Sequence, residues 1–359
     1  MKIRASNPAL RKIIVLLSVC TFASLFLHFV LLPQRYLKNL KSESSKEYTK
    51  TKKESNTAVK IPEEYLQNFS NISPHDYKYI IRPDTEKICS YRQPERLNEG
   101  NSKKRLLILF IVHSKAEHFE HRNAIRETWG SIAKRLTQVV FLLGDPKNVT
   151  LQGMVNDENR KFGDLVQEDF FETYRNITLK NIMGLKWASQ RCPHAKYVVK
   201  TDDDMFVNSK MLISTLINSR LPKKDLIICK IHFFKNVPRE GKYVIARSLY
   251  EEDYWPSFCF GGCWIASMDV VRRLFDVSLK TKQIYLDDVY VTGILRTKLS
   301  IPLNYISRAY MIFCHTRGNH TMVRKMWNDM EASRINKMSI DGIQRQNEPY
   351  VKFWARCFT

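Results

Sequence analysis

Apolar residues fall into two rhythms along this chain, and the alternation between them predicts its architecture. RLLILFIVHS (105–114) is an almost unbroken apolar run, the pattern of a strand buried on both faces. EHFEHRNAIRETWG (117–130) spaces its apolar residues helically and closes on Gly130, a natural C-cap. TQVVFLLG (137–144) predicts a second strand, with Asp145 and Pro146 as the turn after it. YRNITLKNIMGLKWASQRC (174–192) returns to three- and four-residue spacing and predicts a helix, and KYVV (196–199) predicts a third strand. Strands alternating with helices imply an α/β domain around a largely parallel sheet, where ligands bind at the carboxyl ends of the strands.

Ahead of this domain the pattern changes twice. Residues 13–32, IIVLLSVCTFASLFLHFVLL, are 20 consecutive residues without a formally charged side chain. At about 1.5 Å per residue they match the roughly 30 Å hydrocarbon core of a bilayer. Lys2, Arg4, Arg11 and Lys12 precede the run without an acid, which favours a cytosolic amino terminus, although Arg35, Lys38 and Lys41 reduce the asymmetry. A cleaved signal peptide fits less well, because the run exceeds an h-region and no A-x-A-like site follows it. The predicted organisation is a cytoplasmic tail (1–12), a transmembrane signal-anchor (13–32), a flexible lumenal stem (33–100) and a lumenal domain (101–359). The stem rests on composition: a segment centred on SESSKEYTKTKKESN cannot bury enough apolar area to offset chain entropy.

Composition adds constraints on partners and compartment. With 44% hydrophobic and 26% charged residues the chain is ordinary folded protein, but its net charge of +22 favours anionic partners. Those are nucleic acid, phosphorylated small molecules or acidic membrane surfaces. A lumenal location demotes nucleic acid, and neither zinc-finger spacing nor a ribonucleoprotein aromatic motif is present. Five N-x-[ST] sequons, at Asn68, Asn71, Asn148, Asn176 and Asn319, agree with the lumen and predict N-glycosylation. Seven cysteines lie beyond the anchor (Cys89, Cys192, Cys229, Cys259, Cys263, Cys314 and Cys357), and an oxidising lumen pairs most of them, leaving at least one free or bonded to another chain. Cys259 and Cys263 enclose three residues where a zinc knuckle has two, which argues against zinc.

Candidate chemistry gathers at the strand ends. Asp202 and Asp204 lie two apart on an extended segment, so their carboxylates point the same way and suit a hard divalent cation such as Mn²⁺ or Mg²⁺. Alone, the Asp202–Asp204 triplet reads more readily as an Asx-turn or N-cap; an EF-hand is excluded, since Phe206 takes its fifth position. Arg122 and Arg126 share a helical face as an anion clamp requires, although such a pair is ordinarily solvated. Asp287 and Asp288 sit between apolar runs, where a carboxylate serves as a general base or as a helix cap. FCFGGCWIAS (258–267) joins two glycines to Trp264, for close approach to a ligand or for a tight turn. CHTRGNH (314–320) offers His315 as a metal ligand, and a single histidine is more often structural.

In order, HRNAIRETWG, FLLG, KTDDDMFVN, FCFGGCWIAS, LDDVYVTGIL and WNDM (327–330) resemble the motifs of the β-1,3-galactosyltransferase family, glycosyltransferase family 31, over residues 105–330. The resemblance implies a type II Golgi membrane protein with an α/β domain of GT-A type, a Rossmann-like mixed and mostly parallel sheet behind one transmembrane helix. It implies inverting, Mn²⁺-dependent transfer of galactose or an N-acetylhexosamine from a UDP-sugar to the 3-hydroxyl of an acceptor glycan. That glycan is carried on a glycolipid or a glycoprotein. Residue by residue, Asp204 becomes the metal ligand of a D-x-D element, with His315 beside it and His320 as the weaker alternative. Asp202, Asp203, Arg122 and Arg126 fall to the UDP-sugar, and Trp255, more loosely, to the acceptor side. Asp288 becomes the general base of an E-D-V motif in which Asp287 replaces the Glu. The odd cysteine count leaves room for a homo- or hetero-oligomer. The competing class is a noncatalytic lumenal glycan-binding protein, or a transferase chaperone, on the same fold.

Overall fold

The computed structural model of the chain describes residues 72, 74–89, 106–133, 136–218, 221–305 and 313–332. The predicted tail, signal-anchor and most of the stem, with Asn68 and Asn71, lie outside the described residues, as does Cys357. Among the described residues no helix is long and apolar enough to cross a membrane. An eight-stranded mixed sheet runs in the order β1 (Tyr79–Ile81), β4 (Leu165–Phe171), β3 (Thr137–Asp145), β2 (Ile108–His113), β5 (Tyr197–Asp202), β8 (Phe258–Ser267), β7 (Ile227–His232) and β9 (Leu303–Asn304). Four consecutive strands, β4-β3-β2-β5, are parallel, and β8 is antiparallel to both of its neighbours.

From β2 the chain steps outward to β3 and β4, then returns to β5 on the opposite side of β2. The return passes through helix α3 (Ile177–Arg191), which follows α1 (Phe119–Glu127) and α2 (Val149–Phe162). Strand order therefore reverses between β2 and β5, the place where open α/β sheets bind ligands. Register pairs His113 with Asp202, so the carboxyl ends of those two strands lie level.

The apolar run of β2 is buried throughout because both faces of the sheet are covered. Alternate residues enter opposite layers: Leu109 and Ile111 join Leu185 and Trp187 of α3, while Phe110 and Val112 join Ile125 and Trp129. Beyond β5 a short strand β6 (Met205–Val207) leads into α4 (Ser209–Asn218), and β8 leads into α5 (Met268–Ser278). A separate pair of strands, β6 and β10 (Phe313–His315), precedes the last described helix, α6 (His320–Ala332).

Three local expectations change. The helix predicted over 117–130 ends at Glu127, and a 3₁₀ turn, Trp129–Ser131, follows it. Gly130 is not a left-handed cap there; a Cβ at that position would lie 2.8 Å from the Ile125 carbonyl oxygen, so the glycine serves a close backbone approach. FCFGGCWIAS is neither loop nor turn but the buried strand β8, with Trp264 fully enclosed. Finally, order begins inside the span assigned to the stem: Tyr79–Ile81 pairs antiparallel with β4. The polar centre of that span dominates its composition and hides a three-residue strand.

Cys89 is bonded to Cys192 at the end of α3, Cys229 is bonded to Cys259 across β7 and β8, and Cys314 is also disulfide-bonded. Cys263 is free and buried, in line with the odd cysteine expected. The Cys89–Cys192 bond closes a separation of 103 residues, so it removes much unfolded-chain entropy. Replacing both cysteines with Ala is expected to cost about 2–5 kcal/mol of stability, read as a lowered midpoint in guanidinium denaturation.

Candidate active site

Asp203 closes the gap between the level ends of β2 and β5. Its backbone N–H donates to the His113 carbonyl at 3.0 Å, and its Oδ2 accepts from Ser114 Oγ at 2.6 Å and pairs with His118 Nδ1 at 2.9 Å. Asp203 is buried, and with Asp204 it forms the turn from β5 to β6. The triplet thus forms a turn, one of the two readings open from sequence, and a turn does not exclude the other.

The outer acids face different partners. Asp202, the last residue of β5, accepts from Lys200 Nζ at 2.7 Å. Burial pushes the Asp202 carboxyl up to about 6; Lys200 opposes the rise and Asp287 adds to it. Asp204 takes its place from the residue after β10, because its carbonyl accepts from the N–H and Oγ1 of Thr316 at 2.8 and 2.7 Å. Its Oδ2 lies 2.9 Å from His315 Nε2. Burial works to raise Asp204, but the hydrogen bond and charge of His315 prevail and hold it below the usual carboxylate range. The same hydrogen bond raises the His315 imidazole.

The second acidic pair stands beside β8. Asp288 heads a π-helical segment, Val289–Leu295, and its Oδ1 accepts from the Val289 N–H at 2.8 Å. Thr292 Oγ1 donates to the Asp288 carbonyl at 2.6 Å and accepts from the Cys259 N–H at 2.9 Å, which fastens the segment to β8. Such π-helical insertions recur at functional sites. A Cβ on Gly261 of β8 would stand 3.2 Å from Asp288 Oδ2, so the carboxylate rests against bare backbone. Burial first, and Asp287 second, push the Asp288 carboxyl up to about 7. Asp287 is buried, accepts from Asn181 Nδ2 at 2.8 Å and stands 3.5 Å from Lys200 Nζ.

The arginine pair is placed on one face as predicted, but its donors are spent. Arg122 is fully buried and grips Glu158 through Nε at 2.9 Å and Nη2 at 2.6 Å. Its remaining donors hold the loop after β2, at Ser114 Oγ (3.0 Å), the Ala116 carbonyl (3.0 Å) and the Lys115 carbonyl. Arg126 donates to both oxygens of Asp164 at 2.8 Å and pairs with Glu158 at 2.7 Å. This corrects the open anion clamp expected from their spacing: Glu158 and Asp164, distant in sequence, make the pair a strut. Arg122 reaches the acidic turn through Ser114 alone, whose Oγ donates onward to Asp203.

Of the two late histidines, His315 is brought to Asp204, whereas His320 packs edge-on to His121 at 5.0 Å, which in turn stacks on His118 at 4.4 Å. Trp255 is buried against Tyr250 and presents no open face, while its neighbour Tyr254 is exposed. Three sequons fall on described residues. Asn148 caps α2, Asn176 donates to the Phe171 carbonyl and Asn319 accepts from Thr321 Oγ1. Ser114, His118, Asn181 and Lys200 escaped the sequence reading. Lys200 alone left a signal, a charge within the otherwise apolar strand YVVKTD. Among the described residues no group of three or more His, Cys, Asp or Glu is arranged to hold a metal. Asp204 and His315 form a two-ligand oxygen–nitrogen set, whose carboxylate suits a hard divalent cation such as Mn²⁺.

The family model described as galactosyltransferase matches residues 120–306, more than half of the chain and all of the span from Arg122 to Asp288. The chain belongs to the galactosyltransferase family. β-1,3-Galactosyltransferase 2 of Homo sapiens is 32% identical over 286 residues, covering 73% of this chain and 64% of that protein. β-1,3-Galactosyltransferase 1 of Mus musculus is 31% identical over 287 residues, covering 73% of this chain and 81% of that protein. The chain therefore spans a little under two thirds of the first relative's length. The solved WbbM bifunctional glycosyltransferase superposes with a TM-score of 0.33 at 12% identity, over 58% of this chain and 40% of that one, a likeness too slight to carry weight.

A strut and a nucleotide clamp predict different phenotypes for Arg122. Arg122→Lys removes the forked grip of Arg122 on Glu158 and leaves Arg126 alone to pair with it, so a loss of about 3 kcal/mol in denaturant unfolding is expected. A stable variant with only weakened UDP affinity would return the clamp.

Proposed function

We propose that this member of the galactosyltransferase family transfers a hexose, galactose first among candidates, from a UDP-sugar to the 3-hydroxyl of an acceptor glycan with inversion. The observation that carries the reading is Asp288, a partly buried carboxylate that rests on Gly261 of β8 and is pushed up to about 7. In a single displacement the acceptor oxygen attacks the anomeric carbon, the bond from that carbon to the UDP oxygen breaks, and one carboxylate takes the acceptor's proton. A group near 7 is basic enough to take it and still substantially ionised at neutral pH. Asp287 is the poorer base, because Asn181 and Lys200 already hold it.

The acidic turn suits the donor. Asp204 and His315 would hold Mn²⁺, which when bound supplies positive charge beside the departing diphosphate. Asp202, with its half-buried side chain, faces the donor side, and Asp203 keeps the turn in place. The parallel-cored mixed sheet supports the GT-A assignment, and the names of the relatives support galactose and a β-1,3 linkage. Disulfides fit the oxidising lumen, so the reading extends to a type II Golgi membrane protein acting on glycolipid or glycoprotein glycans. A noncatalytic glycan binder of this fold would have no use for a base and a ligand pair kept together.

Full-length protein incubated with radiolabelled UDP-galactose, UDP-N-acetylgalactosamine or UDP-N-acetylglucosamine, Mn²⁺ and a glycan panel is expected to label at least one acceptor from the galactose donor. Folded protein that labels none refutes the function. Asp288→Asn is expected to cut transfer on the order of 10²- to 10⁴-fold while UDP-sugar binding survives.

The base acts only when ionised, so protonation switches it off. Acceptor kcat/KM is expected to fall tenfold per pH unit below about 7, the value to which Asp288 is pushed. A profile flat down to pH 5 would assign the proton transfer to an ordinary carboxylate.

A further inference from the structure

Lys200 is a charged residue inside an apolar strand, and beyond holding Asp287 it has so far been given no part in the transfer chemistry. Its side chain is 1% exposed. Leaving an ammonium there unpaired would cost several kcal/mol, so its partners are informative. Nζ donates to Asp202 Oδ1 at 2.7 Å and to the Gly261 carbonyl at 2.6 Å, and stands 3.5 Å from Asp287 Oδ2. Those contacts belong to the end of β5, the middle of β8 and the residue before Asp288. One cation therefore joins the donor-side acid to the acceptor-side acids.

Gly261 sharpens the point. Its carbonyl is held by Lys200, while its Cα side is the surface on which Asp288 Oδ2 rests, with only 3.2 Å to spare for a Cβ. A shift of Lys200 thus moves both the charge beside the base and the wall behind it. Asn181 holds Asp287 as well, so that acid is clamped between two donors.

We propose that Lys200 is the positioning residue of the transfer, tying Asp202 on the donor side to Asp287 and Asp288 on the acceptor side through its ammonium and the Gly261 carbonyl. The proposal rests on Asp288 as the base. The charged and titratable groups that face Asp288 are Asp287, Lys200 and the Tyr174 phenol. Asp287 favours the protonated form of Asp288 and Lys200 opposes it. Removing the ammonium leaves three carboxylates without their shared cation, so Asp288 gains proton affinity. Because the base works only when ionised, the acidic limb of the rate profile then moves to higher pH.

Three variants of the full chain separate charge from contact. Lys200→Gln can still donate to the Gly261 carbonyl but carries no charge, Lys200→Met does neither, and Lys200→Arg keeps the charge. With donor and Mn²⁺ saturating, Lys200→Gln is expected to lower kcat at pH 7 by about tenfold and to raise the acidic limb by about one pH unit. UDP affinity in calorimetry is expected to stay within about threefold of wild type. Lys200→Arg is expected to leave the limb in place even where kcat falls. A merely structural role lowers the yield of active protein and moves no limb. If Lys200→Met does not fold, Gln and Arg decide, and a limb that stays put in Gln, or moves equally in both, overturns the proposal. Wild-type protein that transfers no sugar defeats the functional reading instead. The carboxyl carbon of ¹³C-labelled Asp288, assigned with Asp288→Asn, then still reports by NMR whether Lys200→Gln raises its midpoint, and an unmoved midpoint overturns the proposal.

Discussion

Asp203 is the carboxylate on which the geometry of the site depends. Burying a carboxylate is costly unless its oxygens are hydrogen-bonded, and here Ser114 and His118 supply the partners from the loop that follows β2. The bond therefore does more than satisfy a polar group. It joins the ends of the two strands between which the sheet's order reverses, and it fixes the turn whose outer members are Asp202 and Asp204. Behind it the chain of contacts continues through Ser114 to Arg122 and Glu158, so α1 and α2 brace a turn they do not touch directly.

With the turn fixed, environment divides the labour among like residues. Asp204 meets an imidazole and is held low, while Asp288 meets burial and a neighbouring acid and is pushed high. Two carboxyl groups whose surroundings drive them in opposite directions suit opposite tasks, one to stay anionic towards a cation and one to exchange a proton. Neither direction comes from the residue type. Each comes from which strand or helix delivers the neighbour: β10 for Asp204, and β8 with the π-helical segment for Asp288.

The parts of this arrangement legible in the sequence are those written in local periodicity. β2, β3, β5 and α3 announce themselves because a doubly buried strand and a packed helix need distinct apolar rhythms, and both acidic pairs stand out as charges flanked by apolar runs. What sequence spacing does not contain is the partner from another element. Arg122 and Arg126 have the spacing of a clamp, yet Glu158 and Asp164, more than 30 residues on, decide that they are a strut. His315 is the stronger of two candidates on paper and His320 the weaker, and it is the pairing of β10 with β6, setting His315 opposite Met205, that brings His315 to Asp204. Gly130 and Gly261 are alike in this respect, since what each must approach is invisible until the chain is folded.

The strands at the margins of the sheet have a consequence outside the chemistry. β1 spans three residues and β9 two, so each flank of an eight-stranded sheet ends in a strand too short to template another. A long open flank presents a row of unpaired N–H and C=O groups to any neighbouring chain, and such rows seed edge-to-edge aggregation. By ending in brief strands, one of them drawn from the polar segment ahead of the domain, the sheet leaves little backbone for a second molecule to extend. The same residues that lengthen the sheet by one strand thereby shorten the edge it presents.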